Sequence, residues 1–420
     1  MKLSVELHGQ LVGTLAQDVR GQIWFEYAPT WLTHGFALSP MPSFALKPGA
    51  FKASNLNFQG LHGVFNDALP DGWGLLLMDR VLQRNLGWAT HQITPLHRLA
   101  YMGNRAMGAL EFKPVLENTP TSVAAPSLPQ LAEDAVLVQE GIASDVLSAL
   151  HIHGGSPGGA RPKVTVAIHH LDPSQLLSGF DVLPEHFEHW IVKFRTHTND
   201  PVCMGRIELA YAHMAQAAGI DMPPTQLITT QVRGEQEDFF AVKRFDRIHN
   251  QKRHVISLGG MLDASHRDPC LDYIELLKAV HHATKNHQDV LRAFKLMVFN
   301  VLAHNKDDHV KNFAFIHNGQ SWELSPAFDL TFSQGMNNQH TTAIAGQGNP
   351  NLQAIEKVAQ SAGIKHWRDL VHDIFNVVAQ WPHFAQEQGI PTNIASSYFR
   401  AIEQGRCYAD CMSKTQNHHI

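Results

Sequence analysis

Three residues between positions 307 and 329 have the types and the spacing to support phosphoryl transfer. Asp307 and Asn312 are five positions apart, and Asp329 follows two short apolar runs. A carboxylate can accept the proton of a hydroxyl nucleophile, and hard carboxylate or amide oxygens suit magnesium held on phosphates. We therefore predict Asp307 as a catalytic base and Asn312 and Asp329 as metal ligands. The five-residue step to Asn312 favours Asp307 over its neighbour Asp308.

A helix and a hairpin must position these residues. Apolar residues recur at helical spacing immediately before the polar cluster: Val290, Leu291, Phe294, Met297, Val298, Val301 and Leu302. After the cluster, Asn318-Gly319 separates two apolar runs, which predicts a tight type I′ turn. Such a hairpin would bring Asp329 back beside Asp307.

Helix, Asp-x-x-x-x-Asn loop, hairpin and Asp follow one another as in a kinase catalytic loop and its magnesium-binding Asp. The same loop could instead be a solvated polar segment, or a helix C-cap with His309 and Lys311 on the helix dipole. The hairpin and the second Asp favour the kinase interpretation. In another enzyme class, Asp307, Asp308, His309 and His304 would bind a metal for phosphoester hydrolysis.

A Gly-rich segment is the candidate phosphate cradle. Gly154, Gly155, Gly158 and Gly159 precede an apolar strand at residues 164–168. Glycines let backbone N–H groups approach phosphates closely. The segment lacks the Walker A pattern, and its composition also fits an ordinary flexible loop.

Lys193 lies in a predicted strand, between apolar neighbours on both sides. A lysine there is costly unless its charge is matched, and the phosphates of ATP would match it, whereas on an edge strand the amine could reach water instead. Glu208, near the start of the next helix, could pair with Lys193. Residues 243–245 (Lys-Arg-Phe) fall where a kinase hinge would hold adenine with backbone groups and an aromatic edge.

Composition suits a large folded protein. The 420 residues are 44% hydrophobic and 17% charged, and the net charge of −5 does not indicate a basic nucleic-acid surface. Four cysteines are too few for a disulfide framework, and no run approaches the roughly 18 to 20 apolar residues of a membrane span. We expect a soluble cytoplasmic protein with reduced thiols.

We predict an α+β chain in four parts. Residues 1–114 form a small α/β domain with a strand meander, a helix at 75–82, and a turn and closing strand within 97–113. Residues 115–130 have the Pro, Ser and Thr content of a linker. Residues 131–250 resemble a kinase N-lobe, and residues 251–420 form a mainly helical C-lobe with the catalytic loop.

The chain resembles the HipA-type serine/threonine kinases, the toxins of bacterial toxin–antitoxin pairs. The resemblance covers nearly the whole chain. Its motifs are Phe65–Gly72, Gly103–Phe112, Ser156–Lys163, Trp190–Phe194, Arg244–Arg247, Asn305–Phe313 and Ser325–Leu330. It implies a bilobal kinase-like fold.

The resemblance also implies roles for individual residues. Asp307, Asn312, Asp329 and Lys193 would be catalytic, with magnesium on Asn312 and Asp329. The implied ATP-binding residues are Gly158, Gly159, Ala160, Arg161, Pro162, Lys163, Lys193, Lys243, Arg244, Phe245, His309, Lys311, Asn312, Phe328 and Asp329. Ser156 aligns with the serine that relatives autophosphorylate to switch themselves off.

The partners that the resemblance implies are a HipB-like helix-turn-helix antitoxin, which would make the DNA contact, and a translation factor such as glutamyl-tRNA synthetase, whose phosphorylation arrests growth and favours persistence. Pro157 and Pro162 depart from the expected pattern and stiffen the Gly-rich loop. Two further alternatives remain: a non-catalytic corepressor scaffold, and a kinase with a lipid or small-molecule acceptor.

Overall fold

A computed structural model describes residues 1–116, 127–140, 158–159, 161–172, 175–178, 182–196, 200–267 and 271–417. The chain divides into two compact units. The first unit comprises Met1–Gly205, Gln226–Ile256 and Gly260–Asp263. The second unit comprises Arg206–Thr225, Ser257–Gly259 and Ala264–Ile420.

An antiparallel sheet opens the first unit, in the order β4-β3-β2-β1-β5. Its strands are β1 (Lys2–Leu7), β2 (Gln10–Gln17), β3 (Ile23–Tyr27), β4 (Ala50–Lys52) and β5 (Leu110–Lys113). Leu3, Val5 and Leu7 are buried on one face of β1, as a period of two requires. The predicted strand meander is therefore confirmed.

Four helices pack in the same part of the chain: α1 (Pro29–His34), α2 (Gly63–Asn66), α3 (Gly72–Leu86) and α4 (Pro95–Met102). The prediction for residues 97–113 was incomplete, because this stretch begins inside α4 before it reaches β5. Thr94 caps α4 by accepting a hydrogen bond from the His97 N–H at 3.4 Å, and Pro95 occupies the first helical turn. Thr-Pro is a helix start signal, and the prediction, which followed the apolar pattern, overlooked it.

A second five-stranded sheet, in the order β7-β6-β8-β10-β9, follows helix α5 (Leu128–Gln139). Its strands are β6 (Lys163–His169), β7 (Leu176–Ser178), β8 (Phe187–Lys193), β9 (Thr225–Val232) and β10 (Glu235–Lys243). The short strands β11 (Arg247–Ile248) and β12 (Gln251–Lys252) pair as a ribbon, and β13 (His254–Ser257) follows. Both predicted strands, at 164–168 and around Lys193, are present.

The second unit is mainly helical. Its helices are α6 (Met204–Ala217, of which the first two residues fall in the first unit), α7 (Leu258–Leu262, of which the last three residues fall in the first unit), α8 (Tyr273–Thr284), α9 (His287–Leu302), α10 (Leu352–Ser361), α11 (Trp367–Val378), α12 (Trp381–Glu387), α13 (Thr392–Glu403) and α14 (Arg406–Asn417). The predicted helix before the catalytic loop is α9. Asn286 caps it by accepting from the Gln288 N–H at 3.0 Å. Its apolar face is buried.

The hairpin after the catalytic loop pairs β14 (Ala314–His317) with β15 (Trp322–Leu324). The predicted type I′ turn at Asn318-Gly319 is wrong. That turn needs positive φ at both central residues, and only Gly319 has it, at 101°. The Asn318 side chain instead accepts hydrogen bonds from the Gln320 and Ser321 N–H groups at 3.0 and 2.9 Å, so the turn centres one residue later.

In the part of the chain that the structure describes, no helix combines the length and the apolar character needed to cross a membrane.

Candidate active site

The catalytic loop, residues 304–312, begins after α9 ends at Leu302 and finishes in a 3₁₀ turn at Val310–Asn312. The Asn312 side-chain amide donates to the Asp307 carbonyl oxygen at 2.7 Å. This bond links the predicted base to a predicted ligand and fixes which end of the amide is the donor. The Asn312 amide oxygen is therefore the atom that can coordinate a cation.

The segment that contains Asp329 is tied to the same loop. Ser333 donates its N–H to the His304 carbonyl at 3.0 Å and accepts from the Lys306 N–H at 3.1 Å. Asp329 itself has φ of 59°, a left-handed conformation that costs energy for a non-glycine residue. Such strain is characteristic of functional sites, where the surrounding structure maintains it.

Asp307 and Asp308 have opposite surroundings. The Asp307 side chain is 59% exposed, and its carboxylate lies 4.0 Å from His309 Nε2. The Lys311 N–H donates to His309 Nδ1 at 3.3 Å, so a neutral His309 carries its proton on Nε2, facing Asp307. Asp307 is thus accessible to a substrate, which a base requires.

Asp308 is buried, and four hydrogen bonds hold its carboxylate. The Tyr273 hydroxyl and His340 Nδ1 each lie 2.9 Å from Oδ2, and the N–H groups of Thr341 and Thr342 lie 2.9 and 3.3 Å from Oδ1. Burial, followed by the Asp308 charge, raises the pKa of Tyr273 well above its ordinary value, which keeps the phenol protonated as a donor. Asp308 therefore anchors the loop.

The rest of the loop is anchored in the same way. Lys306 is buried, and its ammonium donates to the Asn338 carbonyl at 2.8 Å, to Asn338 Oδ1 at 2.7 Å and to Asn349 Oδ1 at 3.0 Å. Thr341 donates its N–H to the Lys306 carbonyl at 3.1 Å. A solvated loop or a simple helix C-cap would not bury these groups, so their burial favours a structured loop over both of those interpretations.

The donor set fits magnesium bound to phosphates. Asn312 and Asp329 carry hard oxygen atoms of the kind that magnesium prefers, and a site built from them would have few protein ligands, which suits a cation that keeps waters and substrate phosphates around it. Within the described residues, no three His, Cys, Asp or Glu side chains lie together as a metal-binding group. The hydrolase alternative, built on His304, Asp307, Asp308 and His309, therefore lacks its ligand cluster.

The Gly-rich loop belongs to the first unit. Ser156 and Ala160 lie outside the described residues. Gly159 has φ of 102°, a backbone conformation that favours glycine because other residues are strained there. The Arg161 guanidinium makes two 3.1 Å hydrogen bonds to Asp200, so it is directed at that carboxylate and not at the predicted phosphate site. Pro162 is buried, and its carbonyl accepts from the Phe194 N–H at 2.9 Å.

Lys193 lies at the end of β8, directly opposite Lys163 on β6 and Phe240 on β10. Its ammonium lies 5.6 Å from the centre of the Phe240 ring. Like charges directly opposite each other on neighbouring strands are destabilising, and Lys163 is only 6% exposed. Glu208 is buried in α6, and its pairing with Lys193 stays a prediction.

The predicted adenine hinge has fewer available groups than the sequence suggested. The Lys243 ammonium pairs with Glu188 at 2.5 Å, and the Arg244 N–H donates to the His189 carbonyl at 2.9 Å. The Arg244 side chain is fully buried. Among the groups of the predicted hinge, the other backbone groups of residues 243–245 and the half-buried Phe245 ring are the ones left to contact a ligand.

Arg244 instead belongs to a buried ionic cluster. Its guanidinium makes hydrogen bonds of 2.9 and 2.8 Å to Asp246, which also accepts from Arg247 at 2.7 Å and from the Gly108 N–H at 2.8 Å. Burial alone would raise the pKa of Asp246, but the two arginines hold it well below its ordinary range. Burial lowers the pKa of Arg247 to about 10.

Asp246→Asn should destabilise the protein by about 3–5 kcal/mol, because it leaves two buried guanidinium groups without their counter-charge. Urea unfolding of both proteins measures the loss. Glu188→Gln is the matched control: it breaks the half-exposed pair with Lys243 and should cost no more than about 1 kcal/mol. Equal losses from the two variants would contradict the assignment of Asp246 as the buried counter-charge of Arg244 and Arg247.

Three buried histidines should make the fold acid-sensitive. Burial lowers the pKa of His62, His304 and His317 to about 4 each, against an ordinary value near 6.5. The unfolded chain binds protons first as the pH falls, so stability is complete above about pH 6.5 and decreases toward pH 4. We expect each histidine to cost about 2 kcal/mol by pH 5.

Thermal unfolding between pH 7.5 and 5 tests this expectation. His317→Phe should flatten the pH dependence by about one histidine's share. His366→Phe, at a side chain that is 87% exposed, is the control for replacing a histidine by phenylalanine at the surface. An unaltered slope in His317→Phe would show that this imidazole is not buried in its neutral form.

The sequence-based reasoning missed the anchoring role of Asp308, the ionic cluster around Asp246 and the placement of Lys163 opposite Lys193. A weak signal existed for the cluster, since Arg244, Asp246 and Arg247 directly follow an apolar strand. Charged residues that must enter a core are expected to pair. No local pattern marked the partners of Asp308.

Comparisons with known proteins agree with this architecture. Residues 155–395 match the HipA-like C-terminal domain, and residues 3–113 match the HipA N-terminal domain. A Sinorhizobium fredii protein named "Putative kinase Y4mE" is 25% identical over 78% of this chain and 76% of its own length. A Haemophilus influenzae protein named "Putative kinase" is 27% identical over 29% of this chain and 39% of its own length.

A solved structure has the same fold. HipA from Shewanella oneidensis, in a complex with HipB and its operator DNA, aligns with a TM-score of 0.68 and 17% identity over 97% of this chain and 96% of its own. Fold and catalytic loop together define a mixed α+β protein of the kinase-like class. The two domain matches cover most of the sequence, and the chain belongs to the HipA family.

Proposed function

We propose that this protein is an ATP-dependent serine/threonine protein kinase that acts as the toxin of a HipBA-like pair. The observation that carries the proposal is the division of labour in the catalytic loop. Asp307 is exposed and bound through its carbonyl to the Asn312 amide, while the adjacent Asp308 is buried in four hydrogen bonds. An exposed carboxylate on an anchored loop suits a base that must meet a protein hydroxyl. Family membership and the names of both relatives support kinase chemistry.

In the proposed reaction, a serine or threonine hydroxyl attacks the γ-phosphorus of ATP. The bond from that phosphorus to the β–γ bridging oxygen breaks, ADP leaves, and Asp307 accepts the hydroxyl proton. Lys193 and Lys163 neutralise phosphate charge, as their opposed placement allows. Magnesium held by Asn312 and Asp329 would neutralise the charge on the transferred group.

The remaining parts of the proposal follow the family. A HipB-like antitoxin would be the partner and would make the DNA contact, as suggested by the HipA–HipB–operator complex of the Shewanella neighbour. The substrate would be a translation-related protein such as glutamyl-tRNA synthetase, and the protein would act in the cytoplasm. Ser156 would be the autophosphorylation site, and a phosphate there would add nearly two negative charges to the Gly-rich loop.

Phosphosite mapping by mass spectrometry, after incubation with ATP and magnesium, tests the proposal. We expect phosphate on Ser156 and loss of the transfer when EDTA removes magnesium. Phosphate on another residue would support kinase activity but would contradict Ser156 as the autophosphorylation site that switches the protein off. ATP binding without transfer to any protein would favour a lipid or small-molecule acceptor. If the protein does not bind ATP, the non-catalytic scaffold becomes the better interpretation. If it hydrolyses phosphoesters without ATP, the hydrolase becomes the better interpretation.

A further inference from the structure

Both backbone groups of Gly159 in the Gly-rich loop are bound by the start of helix α3. The Gly159 N–H donates to Asp71 Oδ1, and the Gly159 carbonyl accepts from the Trp73 N–H at 3.1 Å. Asp71 is the N-cap residue of α3, yet its side chain makes no cap bond within its own helix. The helix start and the loop are therefore joined by two reciprocal hydrogen bonds, across 88 positions of sequence.

The contact with Asp71 takes up the atom that a phosphate would need. A Gly-rich loop binds phosphates through its backbone N–H groups, and here a carboxylate, an anion of similar hydrogen-bonding chemistry, already occupies the Gly159 N–H. Gly158 faces the same carboxylate, because a Cβ atom on it would lie 3.0 Å from Asp71 Oδ1. The loop is thus held against the N-terminal domain by a negative charge.

Lys163 is engaged on the other side of the same turn. Its ammonium donates to the Gly158 carbonyl oxygen, and a Cβ atom on Gly159 would lie 2.5 Å from Lys163 Nζ. This bond uses one of the three N–H donors of the ammonium and holds the side chain against its own loop. The Gly159 N–H is therefore bonded to Asp71, while the Gly158 carbonyl is bonded to Lys163.

We propose that Asp71 and Trp73 form a latch on the Gly-rich loop, in which the Asp71 carboxylate occupies the position of a phosphate oxygen. The proposal rests on the proposed function, because it assumes that the loop binds ATP phosphates. ATP binding must then displace Asp71 from Gly159. The N-terminal domain thereby weakens nucleotide binding, and whatever draws α3 away from the loop activates the protein.

The test measures the affinity of the full chain for ATP and for adenosine by isothermal titration calorimetry. Asp71→Asn keeps the shape of the side chain and removes its charge, so we expect ATP to bind about tenfold or more tightly, as loss of a charge-assisted hydrogen bond implies. Adenosine, which has no phosphates, should bind both proteins equally. Glu26→Gln, the same chemical change at an exposed position of the same domain, should change neither affinity.

A second measurement needs no substitution. If the latch opens, the Trp73 N–H loses its acceptor, so adding ATP to the wild-type protein should speed hydrogen exchange at the start of α3. This readout keeps the proposal testable even if Asp71→Asn folds poorly.

The outcomes separate the latch from the kinase. Tighter ATP binding by Asp71→Asn together with faster exchange at Trp73 supports the latch. ATP binding by the wild type with unchanged or weaker binding by Asp71→Asn, or with slower exchange at Trp73, overturns the latch and leaves the kinase intact. Failure of wild type and variant alike to bind ATP overturns both.

Discussion

Asp307→Asn should lower the rate of phosphoryl transfer by roughly 10² to 10⁴, the range expected when a general base is removed. Asparagine has the same shape but cannot accept the hydroxyl proton. ATP affinity should stay nearly constant, since Asp307 is assigned to the acceptor and not to the nucleotide. Steady-state transfer of labelled γ-phosphate and calorimetric ATP binding measure the two quantities.

The stability of this variant should match that of the wild type within about 0.5 kcal/mol, because the Asp307 side chain is 59% exposed. Asp369→Asn is the matched control, as its side chain lies in the same unit and is 80% exposed. It should change neither rate nor stability. Full activity of Asp307→Asn would contradict the assignment of Asp307 as the catalytic base.

Asp308→Asn should have the opposite profile, with a loss of about 3–5 kcal/mol in the free energy of unfolding. The substitution presents an amide N–H₂ group to four groups that all donate to the native carboxylate: Tyr273 OH, His340 Nδ1 and the N–H groups of Thr341 and Thr342. The uncompensated polar groups are buried, so water cannot replace the lost acceptor. Urea unfolding measures the loss.

A double-mutant cycle with Tyr273→Phe sharpens this prediction. Removing the Tyr273 hydroxyl should cost about 1–2 kcal/mol in the wild type, because it breaks the 2.9 Å bond to Asp308 and a 3.2 Å bond with the Asn300 amide. In the Asp308→Asn background the cost should be smaller, since the main partner is already altered. Strict additivity would show that the two groups do not interact in solution.

The two neighbouring aspartates thus provide a direct comparison. Asp307→Asn should remove activity and keep the fold, whereas Asp308→Asn should weaken the fold and reduce activity only through displacement of the loop. A stability loss at Asp307 as large as that at Asp308 would contradict the assignment of the two roles.

Errors in the sequence analysis share a physical cause. The hairpin was predicted, but its turn was placed one residue early, because the Asn318 side chain bonds the next two N–H groups and so alters the turn type. Helix α4 was missed, since its start depends on the cap Thr94-Pro95 more than on apolar spacing. Local side-chain bonds of this kind compete with the average preference of the segment.

What the sequence determined by itself was the order of the parts: helix α9, the Asp307–Asn312 loop, the hairpin, Asp329, and the strand that ends in Lys193. These features are encoded locally, through apolar periodicity and short motifs, so they can be identified without knowing what they contact. The family resemblance rested on the same local motifs, and the domain matches confirmed it.

Only the tertiary structure decided which aspartate is exposed and which is an anchor, and that Asp71 holds Gly159. The partners of these residues lie far away in sequence, 32 positions for Asp308 and His340 and 88 for Asp71 and Gly159. Such contacts leave no periodic signal, because each depends on how separate elements pack. Neighbouring, chemically identical side chains acquire opposite roles through burial, which the packed structure alone defines.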